Sequence, residues 1–476
     1  MKITSILFLV CLFTAISCGK RKSSEPLSLH PDNQHYLLFR GKPVVLIGST
    51  EHYGAVINLD FDYIKYFNEL VSSGLNVTRT FTGIYVEPVG AFGIKKNTLA
   101  PLEGRFICPW MRSGEPGYAI GGNKFDLSQW DENYFLRLKD FITEAGKRNI
   151  VVELDLFSNF YDTLQWKLSP LYFKNNINGI GNIAGWKEIL SIKHPEIIDV
   201  QEKMVRKIID ELKEFDNLYY EICNEPYFGD TTALRIWEEH MTGIVVNTEK
   251  NYKHKHLISN NIANFYKLVG EPRSGVSIYN FHYAAPPVTV PANYHLEAVI
   301  GDNETGFSGI DDDTYRTEAW DFILSGGGLF NNLDYSFTVG FEDGSFIVDP
   351  DQPGGGGRTL RYQLMILADF MQSIDFIKMA PMDSTALSLN DDTTTTVNGL
   401  GNTEGFYAIY LHRRDTATVQ TGIDMQLPSG SYTLTWIDPK TGSESVNDLK
   451  NHTGNKAGIV TPDYSRDIAL RVVKYE

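Results

Sequence analysis

Eight short apolar segments, separated by longer amphipathic ones, occupy most of the sequence between residues 43 and 335. The apolar segments have the length and composition of β-strands, and they are Pro43–Thr50, Leu75–Thr82, Asn149–Phe157, Asn217–Asn224, His254–Asn260, Val276–Tyr283, Glu297–Glu304 and Gly328–Tyr335. Several intervening segments, such as Asp131–Arg148 and Pro195–Phe215, place apolar residues three and four positions apart, which is the spacing of an amphipathic helix. Strands that alternate with helices predict parallel βαβ units.

Eight parallel strands are the number that closes a (β/α)8 TIM barrel. The alternative, an open doubly wound sheet, carries a G-x-G-x-x-G turn after its first strand, and the turn here, GSTEHYG, lacks that spacing. We therefore predict an α/β fold with a TIM barrel over residues 35–378. The connection Gly83–Gln129 is long and rich in glycine and proline, and we expect it to form part of the wall or lid of a pocket.

The character of the sequence changes at about residue 379. A glycine-rich joint, DPDQPGGGGR, is followed by a helical segment and then by short alternating runs that are separated by turn residues. Such runs are typical of an antiparallel β-sandwich, which we predict over residues 379–476. Tyr432 and Trp436 alternate on one of the predicted strands, and we expect both in the core of this domain.

The first 18 residues have the features of an export signal. A lysine follows the initial methionine, Ile6–Phe13 is apolar, and small or apolar residues precede Cys18. The pattern resembles a bacterial lipoprotein signal, in which Cys18 becomes the lipidated first residue, although an ordinary cleaved signal would also fit. We expect residues 19–34 to be a tether and the protein to be exported and lipid-anchored in the bacterial cell envelope, with no other membrane contact.

The charge and the cysteine content exclude several classes of protein. With 43 Lys+Arg against 59 Asp+Glu, the formal net charge is -16, which repels polyanions such as nucleic acids and favours a neutral or weakly charged ligand. Only Cys108 and Cys223 remain in the mature body, and Cys223 lies in an apolar run, so we expect it to be a buried thiol rather than part of a disulfide framework or a zinc site.

Polar side chains cluster where the predicted strands end. In a TIM barrel the carboxyl ends of the strands surround the active site. The fourth strand ends in Asn224-Glu225-Pro226, and the seventh ends in Asp302-Asn303-Glu304. Two glutamates that face each other across the mouth of a barrel are what a two-carboxylate mechanism requires.

This arrangement resembles glycoside hydrolase clan A, the barrels that include family 5 cellulases and mannanases. The resemblance spans about residues 35 to 375. It implies that Glu225 is the general acid/base, that Glu304 is the nucleophile, and that no metal or cofactor takes part. It also implies supporting roles for Asn224, Arg79 on the second strand, and the pair His282 and Tyr283 on the sixth. Because those two are neighbours, both reach the site only if the strand end twists or bulges.

In such an enzyme the two carboxyl groups lie about 5–5.5 Å apart and the configuration of the sugar is retained. We expect an ionised Glu304 to raise the pKa of Glu225 and so keep it protonated. Arg79 would favour the ionised form of Glu304, and Asn224 would bind the sugar hydroxyl group beside the reacting carbon. The resemblance also implies that the β-sandwich mainly packs against the barrel.

Structural roles compete with these assignments. Glu225 could mark the entry to a helix at Pro226, and Glu304 could cap the segment that follows it. Arg79 could form an internal ion pair with Glu153, Asp155 or Glu221, which share the inward face of their strands. We interpret Glu153 and Glu221 as structural, whereas Asp155 lies nearer its strand end and is a candidate for contact with the substrate.

Three further residues are candidates for the sugar pocket. His52 and Tyr53 follow the first strand and could line the pocket or belong to an exposed loop. Tyr335 ends the eighth strand, after which members of the clan commonly place a tryptophan as a stacking platform. This sequence has no tryptophan there and offers Phe330, Tyr335 or Phe337 instead. The function predicted from the sequence is a retaining O-glycoside hydrolase that acts on a poly- or oligosaccharide. A non-catalytic carbohydrate-binding lipoprotein and a transglycosylase on the same barrel are the alternatives.

Overall fold

Eight parallel strands form the central sheet of the protein, in a computed structural model that describes residues 25–264, 266–390 and 394–475. The strands are β4 Leu46–Thr50, β5 Val77–Phe81, β8 Val151–Ser158, β9 Leu218–Asn224, β10 Ile258–Asn261, β11 Ile278–His282, β12 Val299–Thr305 and β13 Leu329–Leu333. Each strand lies inside its predicted segment or extends it by one residue. The predicted signal peptide and Cys18 lie outside the described residues.

The sheet closes on itself at Asn76, the residue before β5. The hydrogen-bonded strands follow the order β4, β13, β12, β11, β10, β9, β8 and β5. Between the two end strands, the backbone N–H of Asn76 donates to the Ile47 carbonyl at 3.1 Å. The Ile47 N–H in turn donates to the Asn76 side-chain oxygen at 2.8 Å. The prediction of a TIM barrel is therefore confirmed.

Helices surround the outside of the barrel, and most of them bury an apolar face against it. They are α1 Tyr63–Ser72, α2 Glu132–Lys147, α3 Thr163–Leu168, α4 Pro195–Leu212, α5 Thr231–Glu249, α6 Thr289–Asn293, α7 Asp312–Leu324 and α8 Arg358–Gln372. The side chain of Asp131 caps α2 by accepting a hydrogen bond from the Asn133 N–H. Pro195 occupies the first turn of α4, where its missing N–H costs nothing. The proline-rich connection before β12 holds only a five-residue helix, because proline cannot extend a helix from its interior.

The predicted tether ends earlier than residue 34. Strands β1 Ser28–His30, β2 Asn33–Phe39 and β3 Lys42–Val44 form a small antiparallel sheet. Leu27, Leu37 and Phe39 pack against the first residues of the barrel strands, including Leu46 and Val151. The alternating leucines of this segment therefore close the amino end of the barrel, and this burial explains why the segment is not a linker.

The connection between β5 and α2 contains a hairpin, β6 Trp110–Pro116 and β7 Asn123–Trp130. Trp110 is buried in the main core together with Cys108. Cys108 and Cys223 are both buried and unpaired, which confirms the buried thiol predicted for Cys223. Among the helices of the described residues, none has the length and apolar character needed to cross a membrane.

Antiparallel strands make up the C-terminal region. They are β14 Ala380–Pro381, β15 Leu387–Leu389, β16 Thr395–Gly401, β17 Phe406–Arg413, β18 Thr418–Val419, β19 Gly422–Leu427, β20 Gly430–Ile437, β21 Glu444–His452, β22 Asn455–Val460, β23 Tyr464–Ser465 and β24 Asp467–Lys474. A six-stranded sheet and a three-stranded sheet enclose a common apolar core. Tyr432 and Trp436 lie in that core, as predicted.

The sandwich packs on the barrel through α7. The ring of Trp320 stacks on Tyr410 of β17, with 5.4 Å between the ring centroids. Arg316 donates two hydrogen bonds of 2.9 Å to the carboxylate of Asp467. Both Arg316 and Asp467 are buried, so the two domains share one continuous contact region.

Candidate active site

Glu225 and Glu304 lie together at the carboxyl end of the barrel. Glu225 directly follows β9, with a φ of 49° that turns the chain, and Glu304 is the penultimate residue of β12. One carboxylate oxygen of Glu225 lies within 4.8 Å of one carboxylate oxygen of Glu304. Both side chains open into a cavity of about 630 Å³. Side chains from the ends of widely separated strands are thus brought to one place.

Arg79 lies beneath the cavity, with 1% of its side chain exposed. One terminal nitrogen of its guanidinium group donates to Glu304 at 3.0 Å, and the other donates to the Asn224 side-chain oxygen at 2.8 Å. Arg79 does not itself line the cavity, so it supports the site rather than binding substrate directly. It instead fixes the orientation of the two residues that do line it.

The same guanidinium group also holds the acidic residues inside the barrel. It forms ion pairs with Glu153 at 3.1 Å, Asp155 at 2.8 Å and Glu221 at 2.8 Å. The two roles proposed for Arg79 from the sequence therefore coexist. Burial is the largest influence on Glu153 and raises its pKa to about 8, with Glu221 adding to the effect. Glu153 and Glu221 lie in the barrel interior, where we interpreted them as structural.

Asp155 was the candidate for substrate contact on β8, and this prediction is wrong. Its side chain is fully buried, and both of its oxygens accept hydrogen bonds from Arg79, at 2.9 and 2.8 Å. It does not line the cavity. Asp155 does point to the inside of the barrel, as predicted, but Arg79 lies between its carboxylate and the cavity.

Asn224 lines the cavity next to the two glutamates. Its side-chain oxygen is occupied by Arg79, while its amide nitrogen donates to Ser158 at 3.1 Å and to the Tyr161 hydroxyl at 3.3 Å. The orientation of the amide is therefore fixed from both ends before any ligand enters.

His282 and Tyr283 both reach the site although they are adjacent in sequence. The pairing register between β11 and β12 shifts at His282, and Tyr283 has a φ of 55°. His282 Nδ1 lies 2.9 Å from an oxygen of Glu225, and the Tyr283 hydroxyl donates to Glu304 at 2.7 Å. The irregular strand end that this pair required is present.

The pKa of Glu225 differs from the expectation. Burial raises this pKa, but hydrogen bonds from His282, Tyr161 and Tyr227 outweigh burial and hold it at about 2. Burial also lowers the pKa of His282, but the charges of Glu304 and Glu225 outweigh that effect, and the net shift is upward. The expected rise in the pKa of Glu225 is therefore wrong. Glu225 and His282 share one proton, and these pKa shifts place it on His282.

His52 lines the cavity, whereas Tyr335 lies behind it. The Tyr335 ring is buried and contacts His52 and Phe307 edge-on, with centroid distances of 6.4 and 6.2 Å. Phe330 and Phe337 are part of the main core. Of the three rings suggested as a replacement for the tryptophan, none lines the cavity, and the exposed ring at that edge is Phe307.

Several cavity residues were missed by sequence reasoning. They are Phe81, Tyr85, Glu87, Phe92, Leu99, Tyr161, Tyr227, Asn264, Phe307 and Ser308. Four of them, Tyr85, Glu87, Phe92 and Leu99, belong to the long connection after β5, which was predicted to form a wall of the pocket. Tyr161 and Tyr227 follow the ends of β8 and β9, and their position beside strand ends is the one signal that could have identified them.

Glu225, His282 and Glu304 are close enough together to surround a metal ion. The carboxylate oxygens and His282 Nδ1 already have partners, because Nδ1 contacts Glu225 while Arg79 and Tyr283 donate to Glu304; His282 Nε2 is buried without a hydrogen-bond partner among the described residues. A network of paired donors and acceptors suits proton transfer better than metal binding.

The fold and the site together define a (β/α)8 barrel protein with paired glutamates at its carboxyl end and a C-terminal β-sandwich. No protein-family model matches the sequence, and no curated protein matches it. Among solved structures, one described as a glycoside hydrolase has a TM-score of 0.63 at 12% identity, over 95% of this chain and 97% of that one. A glycoside hydrolase family 5 protein of Bacteroides vulgatus has a TM-score of 0.62 at 12% identity, over 94% of this chain and 93% of its own. At this level of identity the likeness shows the fold, including the sandwich.

Proposed function

We propose that this protein is a retaining glycoside hydrolase. The observation that supports this most directly is the approach of Glu225 and Glu304, whose nearest carboxylate oxygens lie within 4.8 Å inside a deep cavity. Retaining enzymes hold their two carboxyl groups about 5–5.5 Å apart, whereas inverting enzymes need about 6.5–9.5 Å to admit a water molecule. The architecture shared with the glycoside hydrolases described above agrees with this proposal.

Glu304 is the nucleophile in the proposed mechanism. Its carboxylate attacks the anomeric carbon as the bond to the leaving oxygen breaks, and a covalent glycosyl ester forms. Arg79 and Tyr283 donate one hydrogen bond to each carboxylate oxygen, so the group is oriented before the sugar binds. Asn224 lies within the same cavity and is the candidate donor to the hydroxyl group beside the anomeric carbon, to which it would donate in place of its longer bond to Tyr161.

Glu225 is the general acid and then the general base. Its proton comes from the pair that it forms with His282 across 2.9 Å. Binding of the sugar in the cavity removes water around Glu225, which favours the neutral carboxylic acid and moves the shared proton from His282 to Glu225. Glu225 then protonates the leaving oxygen, and in the second step it accepts a proton from the water that hydrolyses the ester.

The stereochemistry of the product tests the mechanism. A panel of aryl glycosides identifies a substrate, and NMR of the first product then records the anomer. Retention is expected, and inversion would exclude Glu304 as nucleophile.

Rescue of a variant tests the same assignment. Glu304→Gly should lose hydrolysis by a factor of about 10⁴ or more, and azide should restore turnover with an activated aryl glycoside. Full activity of Glu304→Gln would contradict the assignment.

Two outcomes would point to related functions on the same barrel. Transfer of the glycosyl group to an added acceptor sugar, with little release to water, would identify a transglycosylase. Binding of oligosaccharides without release of reducing ends would identify a carbohydrate-binding protein.

We also propose that the protein is exported and anchored by a lipid on Cys18. The support is the order of charged, apolar and small residues before this cysteine. Metabolic labelling with a radioactive fatty acid should mark the wild-type chain and not Cys18→Ser. Equal labelling of both chains, or release of the unlabelled wild-type protein into the medium, would contradict the anchor.

A further inference from the structure

A third carboxyl group, that of Glu87, lines the same cavity as the two proposed catalytic glutamates. Glu87 belongs to the connection after β5 and has no part in the mechanism above. Its backbone N–H donates to the Leu99 carbonyl at 2.9 Å, and this bond joins two segments of the connection to each other. The residue is buried, with 3% of its surface exposed. A buried carboxyl group that faces a ligand cavity is costly unless it has polar partners.

Protein donors hold this carboxyl group in one orientation. The Tyr85 hydroxyl donates to one oxygen at 2.9 Å, and the Asn97 side-chain nitrogen donates to the other. A carboxylate offers about four acceptor positions, so two remain after these bonds are made. His52, which also lines the cavity, places its Nε2 3.7 Å from the oxygen that Tyr85 contacts.

Glu87 and His52 are placed to share one hydroxyl group. At 3.7 Å the two atoms are too far apart for a hydrogen bond, but an oxygen on the cavity side, off the line that joins them, can lie within hydrogen-bond distance of both. Burial lowers the pKa of His52 to about 4, so its ring is neutral and carries one donor and one acceptor. Its Nδ1 has no hydrogen-bond partner among the described residues. This pair of side chains therefore suits a ligand that both donates and accepts, as a sugar hydroxyl group does.

The charge of the cavity opposes an anionic ligand. Three carboxyl groups line it, against a single cationic side chain, His282, and of the described lining residues none is lysine or arginine. The nearby guanidinium group of Arg79 is already paired with four carboxylates. A carboxylate on the bound sugar would meet like charges in a site of low dielectric constant, where repulsion is strong.

We propose that Glu87 and His52 form a recognition site for the hydroxyl groups of an uncharged sugar unit, and that the cavity excludes sugars carrying a carboxylate. This inference rests on the proposed function, because it places the recognised sugar beside Glu225 and Glu304. Glu87 is assigned to specificity and not to the bond-breaking step.

The test compares neutral aryl hexosides with their uronic acid counterparts, which differ only at the sixth carbon. The wild-type enzyme should hydrolyse a neutral member with a kcat/KM at least about a hundredfold above that of its uronide. Glu87→Gln keeps the shape of the side chain and should lower kcat/KM for the neutral substrate about ten- to a hundredfold, mainly through KM, because an acceptor oxygen for the sugar hydroxyl group is replaced by an amide nitrogen. Glu103→Gln, an exposed glutamate of the same connection, is the matched control and should be unchanged.

Failure of the inference can be told apart from failure of the proposed function. Wild-type hydrolysis with equal or faster turnover of the uronide, or an unchanged Glu87→Gln enzyme, would overturn the inference and leave the function standing. If Glu87→Gln does not fold, His52→Gln serves as the second variant, with the same expected loss. If no glycoside is hydrolysed, calorimetric binding of neutral and acidic methyl glycosides to the wild type and Glu87→Gln decides the inference alone, and equal binding of both classes would overturn it.

Discussion

The hydroxyl group of Tyr161 donates a hydrogen bond to Oε2 of Glu225. His282 contacts the other oxygen of the same carboxylate, so the two donors hold Glu225 from opposite sides. Tyr161 lies in the loop after β8, and its ring packs edge-on against Phe92, with 5.0 Å between the ring centroids. The orientation of the proposed acid/base therefore depends on a side chain that comes from a neighbouring strand end.

Replacement of Tyr161 by phenylalanine should lower kcat about tenfold and leave KM nearly unchanged. The ring and its packing remain, but Glu225 loses one of the donors that orient it, a loss worth about 1–2 kcal/mol. Tyr172→Phe is the matched control, since Tyr172 lies outside the cavity. Steady-state kinetics with an activated and an unactivated aryl glycoside measure the effect. A greater loss for the unactivated leaving group is expected, because that reaction depends more on the proton from Glu225.

Replacement of Arg79 by methionine should destabilise the whole barrel. The guanidinium group pairs with Glu153, Asp155 and Glu221 as well as with Glu304, and all of these groups are buried. Removal of one partner from a buried ionic network typically costs about 3–5 kcal/mol. Chemical denaturation should record a loss of this size in the free energy of unfolding.

The control for this change is Arg40→Met. Arg40 pairs with Asp216 at 2.8 Å, but 31% of its side chain is exposed. A pair of this kind contributes about 1 kcal/mol or less. Equal losses for the two variants would contradict the view that Arg79 stabilises the interior of the barrel.

The barrel and the positions of Glu225 and Glu304 could be predicted because they depend on strand periodicity. A strand that is buried on both faces gives a continuous apolar run, and its end is visible as a change to polar residues. Tyr161 and Glu87 could not be found in this way. They lie in connections, where the side-chain direction is set by turns and by contacts far away in sequence.

Two errors at the site have a common physical origin. Asp155 was placed correctly on the inner face of β8, but the long side chain of Arg79 reaches over it and separates it from the cavity. The pKa of Glu225 was expected to follow its neighbour Glu304, yet the donors His282 and Tyr161 dominate. In both cases the outcome depends on which side chain reaches furthest, and strand parity does not determine that.

The pair of Glu225 and His282 should make stability depend on pH. The pKa of Glu225 is lowered from 4.5 to about 2, so its contribution to stability is complete above about pH 4.5 and is lost as the pH falls towards 2. The pKa of His282 is raised above 6.5, so its contribution is complete below about pH 6.5 and is lost as the pH rises through the folded-state pKa. The full effect is expected between these limits.

Thermal denaturation of the wild type and Glu225→Gln over pH 3 to 9 measures this dependence. The difference in unfolding free energy should be greatest, about 1–3 kcal/mol, between about pH 4.5 and 6.5, and should shrink on both sides. Glu188→Gln is the matched control, because Glu188 and His194 also lie 2.9 Å apart but are more exposed. A difference between wild type and Glu225→Gln that does not change with pH would contradict the shared proton.

The sandwich should contribute to the stability of the barrel through Asp467. This carboxylate is buried and accepts hydrogen bonds from Arg316 of α7 and from the Tyr410 hydroxyl, all at 2.9 Å. Asp467→Ala leaves the buried guanidinium group of Arg316 with less compensation and should lower the free energy of unfolding by about 3–5 kcal/mol. Asp424→Ala, which removes an ion pair with the exposed Lys456 within the sandwich, should cost about 1 kcal/mol or less.

Because Trp320 stacks on Tyr410 at the same contact, its fluorescence should change in the same transition that unfolds the barrel. Two separate transitions in the wild type, with only the sandwich transition shifted in Asp467→Ala, would show that the domains unfold independently and would contradict this role.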